Sequence, residues 1–212
     1  MATEEYGTID TWGETSAERI QKFKEIMPEY LKIVKMCPKG VKGCQPDGYL
    51  GCTGKTQANS GAQTLWTSTN SMVLENGMIL IFPDDDGNYD CSKNIKTYSY
   101  DVSKKEEFWL WTCFGINIDI NGLKKPNRTS EDYFGFYVVQ DGIVPKGTHG
   151  TDGWRWSGVL RFSSTCMARN VYNATYHDNC TAWVLQNENM DYKRCPEKLG
   201  WGADKQTSCN GK

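Results

Sequence analysis

The sequence lacks several features that would assign a protein quickly to a function class. Only 2 of its 212 residues are histidine, which disfavours a histidine-rich metal site. The formal net charge of −2 offers no basic footprint for nucleic acid. No apolar run approaches the roughly 18 residues that a membrane-spanning helix requires. The first residues, MATEEYGTID, have neither the basic nor the apolar region of a signal peptide.

Catalytic motifs are missing as well. His177 and Asp178 are neighbours, but no nucleophile motif such as G-x-S-x-G accompanies them. The segment ending in Gly54-Lys55-Thr56 has Tyr49 where a phosphate-binding loop requires glycine. Adjacent carboxylates such as Glu106-Glu107 are present, yet nothing fixes a separation suited to acid–base catalysis. The sequence therefore does not predict an enzyme.

Cysteine, in contrast, is plentiful, with 9 residues and no C-x-x-C pair of the kind that zinc sites use. Such spacing is typical of a disulfide framework formed in an oxidising compartment. The nearby pairs Cys37–Cys44, Cys166–Cys180 and Cys195–Cys209 are plausible bridges, although spacing alone does not fix the connectivity. The odd cysteine is either a buried thiol or an intermolecular bridge. The alternative is a cytosolic protein with reduced cysteines.

The first predicted element is an amphipathic helix over residues 15–36. Thr15 and Glu18 form the pattern of a capping box. Pro28 is expected to kink or split the helix near Ile26, because proline lacks a backbone N–H. The apolar residues at helical spacing are Ile20, Phe23, Met27, Tyr30, Leu31 and Val34. We expect this helix to lie on a β-sheet; a helix that binds a partner is the alternative.

Residues 72–147 are predicted to form an antiparallel sheet core. Asn76-Gly77 marks a hairpin, and 94–102 is a candidate strand. From Phe114 onward apolar and polar residues alternate, as in a half-buried strand, with isoleucine at 116, 118 and 120 on the face of Phe114. A second strand, Phe134–Val139, turns back through Asp141-Gly142.

These elements predict one α+β domain over residues 1–212, with a helix packed on an antiparallel meander and long loops tied by disulfides. The connection 41–71 would be one such loop, since long loops without regular structure are uncommon unless stapled. Residues 148–212 form a cysteine-rich C-terminal region. Within it, Thr181–Leu185 is expected to be a short strand and Asn189–Lys193 a helical turn.

The polar loop after the central strand carries the sharpest chemical signal. It offers side-chain oxygens from Asp119, Asn121, Asn127 and Asp132. Calcium takes six to eight oxygen ligands, so this loop is a candidate calcium site. The spacing does not match the helix–loop–helix calcium loop, because Gly122 comes too early. The alternative is that these side chains bond their own backbone and cap a turn.

Several motifs follow one another along the chain in a recognisable order. The central ones are Asp119-x-Asn121-Gly122-x-Lys124-x-Pro126-Asn127, Asp132-x-Phe134 and Asp141-Gly142-Ile143-Val144-Pro145-x-Gly147. Upstream and downstream are Leu74-x-Asn76-Gly77-Met78, Cys180-Thr181-Ala182-Trp183-Val184, Asn189-Met190-Asp191-Tyr192 and Cys195. Together these motifs resemble the globular heads of type IV pilins and of the pseudopilins of type II secretion systems, and the resemblance covers about two thirds of the chain.

The resemblance implies a non-enzymatic structural subunit of a bacterial pilus (fimbrium) or secretion filament, outside the cell or in the periplasm. Its partners would be other pilin-like subunits and the assembly machinery, with calcium as a cofactor of the head. Family members begin with a hydrophobic helix, so we expect such a helix upstream of Met1 as the link to the membrane. A secreted carbohydrate-binding module that uses Trp154 and Trp156 is the alternative, and a secreted hydrolase is a third.

Overall fold

The structure is a computed structural model that describes residues 5–46, 69–83, 91, 93–98, 107–128, 131–147, 180–200 and 205–211. The described part is α+β, with helices α1 (Ser16–Tyr30) and α2 (Thr181–Asn187). The strands are β1 (Ile33–Cys37), β2 (Thr69–Leu74), β3 (Ile79–Pro83), β4 (Lys93–Tyr98), β5 (Glu107–Asp119), β6 (Tyr133–Val139) and β7 (Gly142–Pro145). Short 3-10 helices cover Ile9–Trp12, Asp191–Lys193 and Pro196–Lys198.

All seven strands belong to one antiparallel sheet. Its main order is β1-β2-β3-β5-β6-β7, and β4 pairs with β5 off this path. The first half of β5 pairs with β4, from Glu107 opposite Tyr98 onward, and its last residues pair with β3. The hairpins β2–β3, β5–β6 and β6–β7 confirm the predicted meander. β5 is therefore the strand that joins the two parts of the sheet.

Helix α1 begins as its sequence predicts. The Thr15 hydroxyl accepts the Glu18 N–H at 3.2 Å, and the Glu18 carboxylate accepts the Thr15 N–H at 2.9 Å. Pro28 does not split the helix, which continues to Tyr30.

The predicted extension of the helix to residue 36 is wrong. Leu31 has extended backbone angles, and Ile33–Cys37 pairs with β2 as an edge strand. The β-branched Ile33 and Val34 suit a strand, and pairing with β2 satisfies backbone groups that a longer helix would have bonded internally. The sheet therefore starts earlier in the chain than the predicted 72–147.

An aromatic core lies on one face of the sheet. The Phe23 ring from α1 is edge-on to Phe82 of β3 and Phe114 of β5, with centroid separations of 5.7 and 5.4 Å. Such edge-to-face geometry is favourable beyond simple area burial. The other buried members include Ile9, Ile20, Met72, Leu80, Ile116 and Val138.

The opposite face of the sheet is also buried over part of its area. Ile79 and Ile81 pack with Tyr133, while Tyr137 packs with Val139. These residues alternate with those of the aromatic core, as the period of two in a strand requires. Helix α2 is fixed near β6, because the Thr181 hydroxyl accepts the N–H of Gly135 at 2.8 Å.

Disulfides connect three pairs among the described residues. The predicted pairs Cys37–Cys44 and Cys195–Cys209 are confirmed, and Cys91–Cys113 is a bridge that spacing did not suggest. Cys180 is also disulfide-bonded, but the predicted partner Cys166 lies outside the described residues. These bridges indicate an oxidising environment.

The C-terminal region differs from expectation in one element. Thr181–Leu185 is part of α2 and not a strand, whereas the helical turn expected over Asn189–Lys193 is present as Asp191–Lys193. The short apolar run fits either structure by pattern alone. Trp154, Trp156 and most of the connection 41–71 lie outside the described residues. In the part that the structure describes, no helix has the length and apolarity needed to cross a bilayer.

Candidate functional site

The site predicted from sequence begins where β5 ends. Asp119 is the last residue of β5, and it is fully buried. Its Oδ1 accepts two backbone N–H groups, from Asn121 at 3.1 Å and from Gly122 at 2.8 Å. An aspartate that bonds the backbone two and three residues ahead stabilises a turn. This part of the loop therefore has the turn-capping arrangement that was the alternative to a cation site.

Gly122 places this turn against the β2–β3 hairpin. Its φ is +61°, and a Cβ added there would lie 2.1 Å from the carbonyl oxygen of Gly77. No side chain fits at that separation, because the obstacle is backbone. Glycine is thus required at 122 both for the left-handed conformation and for the close approach of the two turns.

Two amide side chains of the loop carry buried oxygens. Asn121 donates its Nδ2 to the carbonyl of Pro126 at 3.1 Å, and Asn127 is only 3% exposed. The Oδ1 atoms of both asparagines are buried and have no hydrogen-bond partner in the part of the chain that the structure describes. A buried polar oxygen without a partner is costly unless a donor, water or cation reaches it.

Asp132 closes the loop at the start of β6. Its Oδ2 accepts the N–H of Arg128 at 2.8 Å, and its backbone carbonyl accepts the N–H of Ile120 at 2.8 Å. Desolvation raises the pKa of Asp132; the Arg128 N–H opposes this rise, and the Glu131 charge adds to it. A raised pKa means that the folded protein carries this negative charge at a cost. A bound cation would remove that cost.

The structure thus brings the four predicted residues into one short connection, but it does not build a cluster of charged ligands. Among the described residues, no group of three or more His, Cys, Asp or Glu side chains is placed to hold a metal ion. Asp119 and Asp132 each commit one oxygen to backbone N–H groups. The atoms that fit a hard cation here are the two buried amide oxygens of Asn121 and Asn127. A calcium ion at this loop stays a prediction.

Sequence reasoning missed the ionic link between this loop and the C-terminal region. Glu131 forms a salt bridge with Lys193, which lies in the 3-10 helix Asp191–Lys193. It also pairs with Arg128, with Nη1 and Oε2 3.3 Å apart. No local pattern in the sequence signals this contact, since its partners are more than 60 positions apart.

The C-terminal region is held by a second set of contacts, which we call the C-terminal staple: Trp183, Asn189, Asp191, Cys195 and Cys209. Trp183 is fully buried, and its Nε1 donates to Asn189 Oδ1 at 3.1 Å. Asn189 Nδ2 donates to the Thr207 carbonyl at 3.0 Å, and Asp191 Oδ2 accepts the Cys209 N–H at 2.7 Å. The asparagine and aspartate therefore fasten the end of the chain alongside the Cys195–Cys209 bridge.

Comparison with known proteins finds no family model, no curated protein and no solved structure that matches this chain. Its function is therefore inferred from its own residues and their geometry.

Proposed function

We propose that this protein is a pilin or pseudopilin: a non-enzymatic subunit of a bacterial type IV pilus-like filament or of a type II secretion system. Its partners are other pilin-like subunits and the machinery that assembles them. It works at the cell surface, outside the cell or in the periplasm, where disulfides form.

The observation that carries the proposal is the meeting of two motifs at one corner of the sheet. The Asp119–Gly122 turn touches the Asn76-Gly77 hairpin through a backbone approach that leaves no room for a Cβ. Both segments belong to the set of motifs that resemble pilin heads. The two motifs therefore pack against each other in the fold, as expected if both belong to a single pilin-like head.

The conformation of the chain at its entry to the head is a second support. Glu5 and Tyr6 are helical, and they are tied reciprocally to the end of α1. The Tyr6 hydroxyl donates to Glu29 at 2.5 Å, and the Tyr30 hydroxyl donates to Glu5 at 2.8 Å. The bonds to Glu29 and Glu5 raise the pKa of Tyr6 and that of Tyr30 to about 12. Under the proposal, an N-terminal helix would join the head at this point, beside the end of α1.

The native gene upstream of Met1 gives the most direct test. The proposal predicts an apolar helix of roughly 20 residues, long enough to enter a bilayer, preceded by a glycine cleavage site and carrying a glutamate near its start. An ordinary cleavable signal peptide directly before Ala2 would overturn the filament proposal.

Calcium in the Asp119–Asp132 loop is part of the same proposal. An ion held by the oxygens of Asn121 and Asn127, next to the two aspartates, would lock the turn against the hairpin. A ligand that binds only the folded state stabilises it by mass action, by about 2.7 kcal/mol at a concentration 100 times its Kd. Chelated protein should therefore melt at a higher temperature after millimolar calcium is added.

Two variants sharpen the calcium test. Asn127→Ala should abolish the calcium-dependent rise in melting temperature, because it removes a buried ligand oxygen. Asp141→Asn removes an exposed charge in a different turn. It should leave the calcium-dependent rise in melting temperature intact, and it controls for nonspecific screening of surface charge by calcium. A wild-type melting temperature that does not change on addition of calcium would overturn this part of the proposal.

A carbohydrate-binding module is the second candidate. Trp111 supports it, since its side chain is 42% exposed, while Trp183 is buried. Exposed indoles stack on sugar rings. Glycan binding by the protein that is lost on Trp154→Ala or Trp111→Ala would favour this function over the filament.

A further inference from the structure

The sequence contains three Asn-Gly pairs, Asn76-Gly77, Asn121-Gly122 and Asn210-Gly211. This dipeptide is chemically reactive, because glycine has no side chain to shield its backbone nitrogen. That nitrogen can attack the side-chain carbonyl carbon of the asparagine before it. Since the three pairs have the same reacting groups, the way in which the fold holds each pair decides how fast it reacts.

The reaction is deamidation, and it needs only water and a base. The glycine N–H loses its proton to the base, and the nitrogen forms a bond to Cγ of the asparagine. The bond between Cγ and Nδ2 then breaks, and Nδ2 leaves as ammonia after taking a proton from solvent, which closes a succinimide ring. Water adds to either carbonyl of the ring and opens it to aspartate or isoaspartate. Water is consumed and ammonia is released, and no oxidant or reductant takes part.

Asn121-Gly122 is the pair that the fold holds most firmly. The Gly122 N–H, which has to lose its proton, donates to the buried Asp119 carboxylate at 2.8 Å. The leaving nitrogen, Asn121 Nδ2, donates to the Pro126 carbonyl at 3.1 Å. A carboxylate acceptor opposes the loss of the Gly122 proton, because a second negative charge would then face the first. Gly122 is also buried, so a base in solvent does not reach it.

Asn76-Gly77 is exposed, but the turn of the β2–β3 hairpin holds both reacting groups. The Gly77 N–H donates to the Leu74 carbonyl at 2.9 Å. Asn76 Oδ1 accepts the Met78 N–H at 3.1 Å, as asparagine does when it stabilises a turn. The hairpin turn therefore has to open before the Gly77 nitrogen is free to attack.

Asn210-Gly211 is the pair that the fold holds least. Both residues are exposed. The Gly211 N–H lies 3.4 Å from the Ser208 carbonyl oxygen, beyond the usual range of such a bond. Within the part of the chain that the structure describes, the Asn210 side chain has no hydrogen-bond partner. Both reacting groups are therefore open to solvent and free to rotate toward each other.

We propose that Asn210 is a site of spontaneous deamidation in the folded protein, and that the fold slows the same reaction at Asn76 and protects Asn121 from it. Each hydrogen bond that must break lowers the population of the open turn by about fivefold, and a reaction from a rapidly opening state follows that population. Asn76 should therefore react about 20-fold more slowly than Asn210, and Asn121 about 100-fold more slowly or less. The reaction at Asn210 adds one negative charge to the formal net charge of −2.

The protected pairs lie where the modification would disturb the fold. Isoaspartate places an additional carbon atom in the main chain. At position 76 this would shift the Gly77 carbonyl, against which Gly122 fits without room for a Cβ. At Gly211, in contrast, the nearest atom to an added Cβ is 3.9 Å away. Deamidation at position 210 should therefore change the charge of the protein without changing its melting temperature.

Ageing of the full chain tests the proposal. The protein is kept in mildly alkaline buffer well below its melting temperature, and samples taken over time are digested briefly at acidic pH, where the reaction is slow. Mass spectrometry of the peptides follows the mass gain of deamidation at each of the three asparagines, and fragmentation separates aspartate from isoaspartate. The gain should come first at Asn210, with Asn76 and Asn121 following in that order.

Two controls separate the effect of the fold from that of the dipeptide. In the same chain, reduced and unfolded in urea, the three pairs should react at similar rates, because their reacting groups are the same. Asn210→Gln should remove the acidic species that the aged wild type shows on ion exchange, since glutamine has to close a larger ring. Asn76→Gln, the matched substitution in the other exposed pair, should keep that species.

Several results would overturn the proposal. One is a folded protein in which Asn210 stays intact while the unfolded chain reacts, and another is a folded protein in which Asn121 reacts as fast as Asn210. An unfolded chain that keeps the order seen in the folded protein would show that the neighbouring residues, and not the fold, set the rates. None of these results depends on whether the protein is a filament subunit.

Discussion

In the aromatic core, the rings of Phe23, Phe82 and Phe114 pack edge to face, whereas in the C-terminal staple Trp183 packs beside its hydrogen bond to Asn189 and the Cys195–Cys209 disulfide. The core joins residues from separate parts of the chain through apolar burial. The C-terminal staple encloses a short segment of chain with a covalent loop. A short segment cannot bury enough apolar area to order itself. The disulfide stabilises it instead, because it restricts the conformations of the unfolded state.

The largest expected effect comes from emptying the aromatic core. Phe114 is fully buried and contacts Phe23 edge-on. Phe114→Ala should lower the free energy of unfolding by about 3–5 kcal/mol, since it removes a large buried ring and leaves a cavity. Urea unfolding followed by tryptophan fluorescence measures this. Ile143→Ala, at an exposed position, should change little, and a Phe114 effect as small as that control would contradict this account of the core.

The second prediction concerns the staple. Cys195 and Cys209 close a loop with a sequence separation of 14, for which chain entropy predicts about 3 kcal/mol. Replacing both by serine should speed amide hydrogen exchange in residues 183–199 while β5 and β6 remain protected. The Cys37–Cys44 pair, with a separation of 7, should have a slightly smaller effect of about 2.4 kcal/mol by the same relation. Uniform acceleration across the sheet would show that the two regions do not unfold separately.

This contrast also explains how much the sequence could predict. Alternation from Phe114 onward and the Asn-Gly and Asp-Gly turns located β5, β6 and their hairpins, because these signals are local. The apolar spacing over 15–36 predicts helix also for Ile33–Met36, which lie in β1, because the pairing of this strand with β2 is decided by tertiary contacts. The bridge Cys91–Cys113 depends on strand register, with the Cys91 N–H bonded to the Thr112 carbonyl at 3.0 Å.

The candidate site likewise combines local features that the sequence predicts with long-range contacts that it does not predict. That an aspartate before Asn-Gly would cap a turn follows from its type and spacing, and Asp119 does so. The approach of Gly122 to Gly77 and the salt bridge of Glu131 with Lys193 join segments far apart in sequence. A single sequence contains no signal for such pairs.

A third prediction tests the contact between the Asp119–Gly122 turn and the β2–β3 hairpin by substituting three glycines with alanine. Gly122→Ala combines a positive φ with a Cβ 2.1 Å from backbone, and should cost about 2–3 kcal/mol. Gly77→Ala has a φ of +86° but open space around the Cβ, so about 1 kcal/mol is expected. Gly142→Ala has neither problem and serves as the control. The loss in melting temperature should be largest for Gly122→Ala, intermediate for Gly77→Ala and smallest for Gly142→Ala. Equal losses would mean that the two turns are free to separate.

The smallest effect is expected at the start of α1, where the two helices differ. Thr15 caps α1 with its side chain, whereas Cys180, the N-cap residue of α2, makes no capping hydrogen bond with its side chain. Thr15→Ala should cost about 1 kcal/mol, and Thr15→Ser, which keeps the hydroxyl, much less.

The other half of the capping box should make this stability depend on pH. The Thr15 N–H, followed by that of Glu14, lowers the pKa of Glu18. A carboxyl whose pKa is depressed by folding contributes stability above its unfolded pKa and loses it as the pH falls through the folded value. The difference in stability between the wild type and Glu18→Gln should therefore be full at neutral pH and shrink below about pH 4, the range in which glutamate titrates. A difference that stays constant down to pH 2 would show that the carboxylate charge is not what holds the cap.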